Sequence, residues 1–412
     1  MQSAPPPRPW LILLALWALN FAVSAQFLVV TPILPVIRDQ LNVAEDWLGL
    51  LITTYAVGVG VFSLIAGPIS DRFGRRVIIV TGAVGMTIAL LLHGLAFNFP
   101  LLLGMRLLAG SCSGLLSGAT IAYVGDAFPF HQRGRANGIL ASGFAAGQIF
   151  GIPLGAILGE MGYRLPFVVF GIFGGVAALL IVLFLVQPPV KLMDRLTLGS
   201  ALKGYGALLV RRDTAVSAAA YAVMFLAVSL FITYLPTYLN ARFDASPTEV
   251  STLFMVGGVA NLIVAPFAGA LSDRVGRKVL VVGGSAVMGV LIFATPWILP
   301  QFWVAYPLFF IVMVFVALRI SPMQALVTSL VPARQRGSLL SLDFAVGQVG
   351  FGLGSLVAGP IYTRMGFVAT ATAAGVFALG MAVLVLVGLP EPESDAEDDP
   401  ADAPEPATAG RS

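Results

Sequence analysis

The chain has 412 residues, of which 58% are hydrophobic and 10% charged, with a formal net charge of +3 and a mean hydropathy of +0.94. A soluble globule carries about 25% charged residues, so a water-facing surface all round is excluded. One Cys and two His leave no disulfide framework and no credible metal cluster. The basic residues are split among short loops, which speaks against nucleic-acid binding.

In chain order, residues 1–9, with Pro5-Pro6-Pro7, read as a flexible lead. Six apolar spans follow, near 10–36, 47–69, 77–97, 100–125, 137–159 and 165–186. Residues 187–213 form a polar linker that begins Gln-Pro-Pro and carries five Lys or Arg. Six further spans lie near 214–239, 250–271, 279–299, 302–331, 337–361 and 366–389. The remainder, 391–412, is acidic and rich in Pro and Ala and reads as disordered. Spans of about 20 apolar residues cross a hydrocarbon core of about 30 Å as helix, and lipid admits no open strands. The expected architecture is an all-α membrane protein of twelve transmembrane helices, with six-helix bundles at 10–186 and 214–390. No small-residue cleavage site follows the first span, which reads as a retained helix.

Alternating loops place seventeen Lys and Arg on one side, against Arg38, Arg164, Arg242 and Arg364 on the other. The positive-inside rule puts the basic side, and both termini, in the cytoplasm. The expected location is the plasma membrane, the inner one in a bacterium.

The two halves echo one another. Gly67-Pro-Ile-Ser-Asp-Arg-Phe-Gly-Arg-Arg76 returns as Gly269-Ala-Leu-Ser-Asp-Arg-Val-Gly-Arg-Lys278, 202 positions on. Pro129-Phe-His-Gln-Arg-Gly134 returns as Pro332-Ala-Arg-Gln-Arg-Gly337, and Phe144-Ala-Ala-Gly-Gln148 as Phe344-Ala-Val-Gly-Gln348, at offsets of 203 and 200. Parallel halves in register are typical of secondary transporters.

These motifs resemble the major facilitator superfamily over about residues 8–390. The repeated loop is similar to that superfamily's signature between helices 2 and 3 and its second copy between helices 8 and 9. "GMRLLAG", with Arg106 in helix 4, resembles a second signature. "GFAAGQIFGIPLG", with Gly143, Gly147, Gly151, Pro153 and Gly155, resembles the Gly-Pro motif of the drug and metabolite antiporters, departing from it where Ala156 replaces a second Gly. The resemblance implies a proton-driven antiporter, here a multidrug or metabolite exporter, with a role for Arg106 in proton coupling and for Asp126 as partner of the signature loop.

The residues add their own reading. Gly67 is expected to let helix 2 approach a neighbour and Gly74 to permit a tight turn. Asp71, Arg72 and Arg75, with Asp273, Arg274 and Arg277 in the second copy, are expected to form a latch holding the halves together in one state; the alternative is a plain basic loop. Arg106 lies about two turns, ~9 Å, into its helix, and must find a partner or snorkel. Arg319 and Asp343 are the other intramembrane charges, separated in depth by ~10 Å, bridged directly with helix tilt or through water. Asp343 is the expected proton carrier, since a carboxyl sheds its charge by taking a proton; a structural ion pair with Arg319 is the alternative. Asn20, Gln26, Gln148, Tyr221, Tyr234, Asn261, Gln324 and Gln348 are expected on the cavity wall, or else in helix packing. The glycines of helix 5 suggest a tight contact between the halves, or ordinary small-residue packing.

No cofactor is expected, and no phosphate-binding GxxxxGK[ST] loop occurs; a proton gradient is the expected energy source. The expected partners are a small-molecule substrate, protons and membrane lipids, with the chain a monomer and not an enzyme. A proton-coupled importer, a sugar or metabolite transporter, a lipid translocase and a non-transporting receptor or scaffold are the competing readings.

Overall fold

Glycine and proline set the helix ends. The computed structural model describes residues 9–188 and 198–390. The tail, most of the lead and the middle of the linker, with Arg8, Lys191, Arg195 and Arg411, lie outside the described residues. The first half comprises α1 (Pro9–Leu28), α2 (Leu34–Leu41), α3 (Leu50–Phe73), α4 (Arg75–Leu92), α5 (Phe99–Ala127), α6 (Phe130–Ala146), α7 (Ile152–Glu160) and α8 (Leu165–Phe184). The linker carries α9 (Leu198–Val210). The second half comprises α10 (Arg212–Phe243), α11 (Pro247–Val275), α12 (Arg277–Ile298), α13 (Ala305–Thr328) and α14 (Ala333–Gly388).

Eleven stretches among the described residues are long and apolar enough to cross a membrane, and the last is 54 residues long. Gly366, at φ 77°, breaks α14 into two helices, which gives twelve crossings. No strand occurs among the described residues.

Three expectations about elements are corrected. The first span ends at Leu28, and residues 34–41 form a separate short helix. Its sequence carries Arg38 and Asp39, which belong at the surface. The fifth span is interrupted: Gly147–Gly151 is a π-helical turn between α6 and α7. Pro153 has no N–H to give the preceding turn, and single π turns of this kind absorb such a defect. The linker contains the helix α9, whose Tyr205 donates its hydroxyl to the Leu64 carbonyl of α3 at 3.1 Å.

The bundles meet along two seams. In one, α3 packs on the first part of α14; in the other, α7 and the π turn pack on α11. Glycines make the first seam close. A Cβ at Gly49 would stand 2.1 Å from the Ser355 carbonyl oxygen, and one at Gly359 would stand 2.3 Å from that of Asp46. The hydrogen bonds across the seams lie toward the surface opposite the basic loops. Thr53 donates to Gly352 O at 2.8 Å, Ser355 to Gly49 O at 3.0 Å and Tyr234 to Glu45 O at 2.6 Å. Arg38 bonds the Glu45 carboxylate beside this contact at 3.1 Å. Its hydrogen bond to Asp39 and the nearby Glu45 charge raise the Arg38 guanidinium pKa, with burial opposing. At the basic side, a cavity of about 910 Å³ separates the ends of α1 and α6, lined by Trp10, Leu13, Trp17, Phe128, Arg135 and Ile139 among others.

Candidate functional site

The signature loop is built on a glycine. Gly74 adopts φ 96°, a conformation that L side chains rarely take. The turn sets Arg75 at the start of α4, over the end of α3. Its guanidinium reaches Asp71 at 2.5 Å and Asp126, at the end of α5, at 2.8 Å, and also bonds Ser70. Arg76 anchors the loop to the end of α8 through Val182 O and the Gln187 side chain. Asp126 is thus the partner that the resemblance implied. All of these groups belong to the first bundle. The contacts of Asp71 and Arg75 therefore tie α3, α4 and α5 together, and do not cross between the halves in this arrangement. The close approach expected at Gly67 is also absent, since a Cβ there would meet nothing within 4 Å.

The second copy repeats the turn but not the lock. Gly276 adopts φ 102°, and Arg277 stands 3.5 Å from Asp273. Lys278 bonds Leu389 O at 2.8 Å, as Arg76 does the end of α8. At the 203 offset, however, the position matching Asp126 is Ser329, whose hydroxyl bonds Leu326 O in its own helix. A doubly bridged, half-buried guanidinium is worth more than an exposed pair, for which the usual contribution is about 0–1 kcal/mol. Arg72 and Arg274 are exposed.

Arg106 is fully buried, which excludes snorkelling. Its Nη1 donates to the Gln26 side chain at 3.0 Å and to Gln26 O at 3.3 Å, and its Nε to Leu51 O at 3.3 Å. The guanidinium carbon stands 4.3 Å from the centre of the Tyr55 ring. Gln26 in turn donates to the Tyr55 hydroxyl at 2.8 Å, which is 2.6 Å from Ser113 Oγ. A charge in a membrane helix costs at least about 2.5–3.5 kcal/mol on insertion scales. Hydrogen bonds to a charged group contribute about 1.5–3 kcal/mol each, and a desolvated cation–π contact about 2. The cage offsets the cost with neutral partners. Tyr55 and Ser113, which sequence reasoning missed, belong to it, and Nη2 of Arg106 is left without a partner. Nothing but their hydroxyls on apolar helices marked them.

Arg319 and Asp343 are both buried in the second bundle and do not pair. Ser217 on α10 donates to Asp343 Oδ2 at 2.6 Å. Asp343 Oδ1 has no partner, and neither do Nε and Nη1 of Arg319. The Cβ of Arg319 packs against Gly284 of α12. The direct ion pair left open by the sequence is therefore absent in this arrangement.

Two expected cavity residues have other occupations. Gln26 is fully buried in the Arg106 cage, and Tyr234 is fully buried in the contact with Glu45 between the bundles. Asn20 bonds its own helix at Leu16 O, and Tyr221 is buried, stacked on Phe225. Gln324 is exposed, and Gln148 and Asn261 are half-buried. The repeated Phe-Ala-x-Gly-Gln motif now has a geometric meaning. Its Gly packs within a bundle: a Cβ at Gly147 would lie 2.6 Å from Phe21 O, and one at Gly347 would lie 3.1 Å from the Phe225 ring. Its Gln faces the other bundle, with the Cβ of Gln148 against Gly258 and that of Gln348 against Gly60, each 3.4 Å from the site of a Cβ there.

The helix 5 glycines meet α1 and not the other half. Cβ atoms at Gly143, Gly147, Gly151 and Gly155 would collide with Trp17, Phe21, Ala25 and Val29 in turn. A four-residue period keeps one face toward one neighbour, so this stripe closes the first bundle upon itself.

The family model described as Major Facilitator Superfamily matches residues 16–240 and 217–411. The chain is 27% identical over 355 residues to the uncharacterized MFS-type transporter YceJ of Bacillus subtilis, covering 86% of this chain and 89% of that one. It is 24% identical over 237 residues to the quinolone resistance protein NorA of Staphylococcus aureus, covering 56% of this chain and 59% of that one. The fold is similar to the crystal structure of a D-xylose-proton symporter, with a TM-score of 0.78 at 17% identity, covering 94% of this chain and 99% of that one.

Proposed function

The chain belongs to the Major Facilitator Superfamily, and from that premise we propose that it exports small amphiphilic or hydrophobic compounds in exchange for protons. The observation that carries the reading is Asp343: a buried carboxyl in a membrane helix with one oxygen on Ser217 and the other free. A carboxyl so placed can bind and release a proton without dismantling an ion pair. Arg319, equally buried and without a partner at Nε and Nη1, is the group that pairs with it when the helices shift, driving the proton off. Arg106 and its cage are the buried cation of the first bundle, at a position that does not match Arg319 in the repeat. The likeness to a quinolone resistance protein supports an amphiphilic substrate and the outward direction. The reading puts the basic side in the cytoplasm of a plasma membrane, since that side carries the excess of Lys and Arg. The bundles are closed at the opposite surface, so this arrangement offers the substrate its entry from the cytoplasm.

The test uses purified protein in vesicles with an imposed pH gradient and a panel that includes a fluoroquinolone, a cationic dye and a sugar. Uphill movement of an amphiphile against the proton flow, lost in Asp343→Asn, is the expected result. Transport that ignores the pH gradient, or proton-driven uptake of the sugar alone, overturns the proposal.

A further inference from the structure

The helix α11 begins at the surface opposite the basic loops, and its first N–H groups can be counted one by one. The amide of Ser246, the N-cap, donates to the Glu249 carboxylate at 2.8 Å. Pro247 has no N–H. The Glu249 amide donates to Ser246 Oγ at 3.2 Å, closing a capping box. The Val250 amide starts the helical ladder on Ser246 O at 3.0 Å. One donor is left over, the amide of Thr248. It is satisfied from the other bundle: Glu160, the last residue of α7, accepts from Thr248 N at 3.0 Å and from Thr248 Oγ1 at 2.8 Å.

The geometry assigns Glu160 as the gate residue of the α7–α11 seam, a cap supplied by one bundle to a helix of the other. Among the described residues, the hydrogen bonds of Thr53, Ser355 and Tyr234 that join the bundles are made by neutral groups, whereas this one is made by a charged side chain. A carboxylate at a helix N-terminus is favoured by the exposed N–H groups and by the helix dipole. The bond forms only while the seam is shut. When the bundles part on this side, Thr248 N–H and the carboxylate must both return to water. Glu160 therefore biases the two-state equilibrium of the transporter toward closure at the surface opposite the basic loops. The inference rests on alternating access, and not on the identity of the coupled ion or of the substrate.

The experiment is a pair of spin-label distance measurements on the full chain in a Cys112→Ser background. Labels at Phe97→Cys and Asp244→Cys report the side opposite the basic loops, and labels at Arg135→Cys and Arg336→Cys report the basic side. No pH gradient and no substrate are applied, so a failed efflux assay leaves the result readable. Glu160→Ala is expected to raise the open-to-closed ratio on the opposite side on the order of fivefold, with reciprocal closing on the basic side. Glu160→Gln, which keeps an acceptor but loses the charge, should fall between. Ser246→Ala, which weakens the same helix end from within its own bundle, should lower stability without moving the ratio. Distance distributions unchanged by Glu160→Ala overturn the proposal. So do distances that lengthen on both sides, or a ratio that Ser246→Ala shifts equally.

Discussion

Ser217 on α10 holds one carboxylate oxygen of Asp343 on α14 at 2.6 Å, and the other oxygen has no partner. The arrangement leaves a carboxyl fixed in position and half free to exchange a proton. Asp343→Asn keeps the shape and the contact with Ser217 but cannot ionise. Transport driven by a pH gradient should vanish while substrate binding persists. Substrate-induced proton release in detergent is the measurement. An Asn variant that releases as many protons as the wild type places the coupling acid elsewhere, with Asp126 next to be examined. Ser217→Ala should leave transport coupled but slower, since it removes the orienting bond and not the acid.

Arg106 sits in a cage of neutral groups, so its planar fork matters more than its charge. Arg106→Lys retains the charge and loses the fork that bonds Gln26 and Leu51 together. Substrate binding should survive in part and proton-driven flux should fail. Arg106→Ala moving substrate uphill as well as the wild type would remove the residue from the coupling machinery. Tyr55→Phe deletes the hydroxyl that joins Gln26 to Ser113. Leaving those groups unsatisfied costs about 1–3 kcal/mol, read as a lowered melting temperature in detergent.

The two signature loops should respond unequally. Arg75 bridges Asp71 and Asp126, whereas Arg277 has only the exposed Asp273 at 3.5 Å. Asp71→Asn and Asp126→Asn should each reduce transport on the order of tenfold or more, the effect expected of a charged group stripped of its partner. Asp273→Asn should change it by less than about threefold, since an exposed pair contributes about 0–1 kcal/mol. Initial rates at matched protein level decide the comparison. Equal losses in both copies would show that the second carboxylate on Arg75, that of Asp126, is irrelevant.

Close helix crossings give a stability test independent of transport. A Cβ at Gly110 would stand 2.2 Å from Tyr55 O, a backbone atom that cannot swing away. Gly110→Ala should destabilise by about 1–3 kcal/mol, the usual cost of overpacking. Gly104→Ala, in the same helix with nothing within 4 Å of the new atom, should melt at or slightly above the wild type. Thermal unfolding in detergent compares them.

The twelve crossings and the repeat were legible because each rests on a local signal, hydropathy over about 20 residues or a repeated phrase, whereas Asp126 as partner of the signature loop came from the family resemblance. Polarity on an apolar helix says that a partner exists, and not whose it is. Gln26 and Tyr234 look like substrate ligands in the sequence, yet their partners are Arg106 and the Glu45 carbonyl. The helix 5 glycines announce a close crossing but not that it lies against α1. Tyr55 and Ser113 carry no periodic signal at all. Glu160 is a lone acid at the end of a span, and only the approach of α11 gives it a task.

The matched positions of the repeat also bear on ancestry. At the offset of 203, Arg106 corresponds to Phe309, and Arg319 to Leu116. Leu116 packs on Gly82 much as Arg319 packs on Gly284, so the second pairing holds in space as well as in sequence. Neither intramembrane arginine has a twin. If the halves descend from one duplicated unit, its symmetry did not carry both charges to the present chain. Each bundle took on or kept its own cation on a shared scaffold, at places that their common frame does not make equivalent.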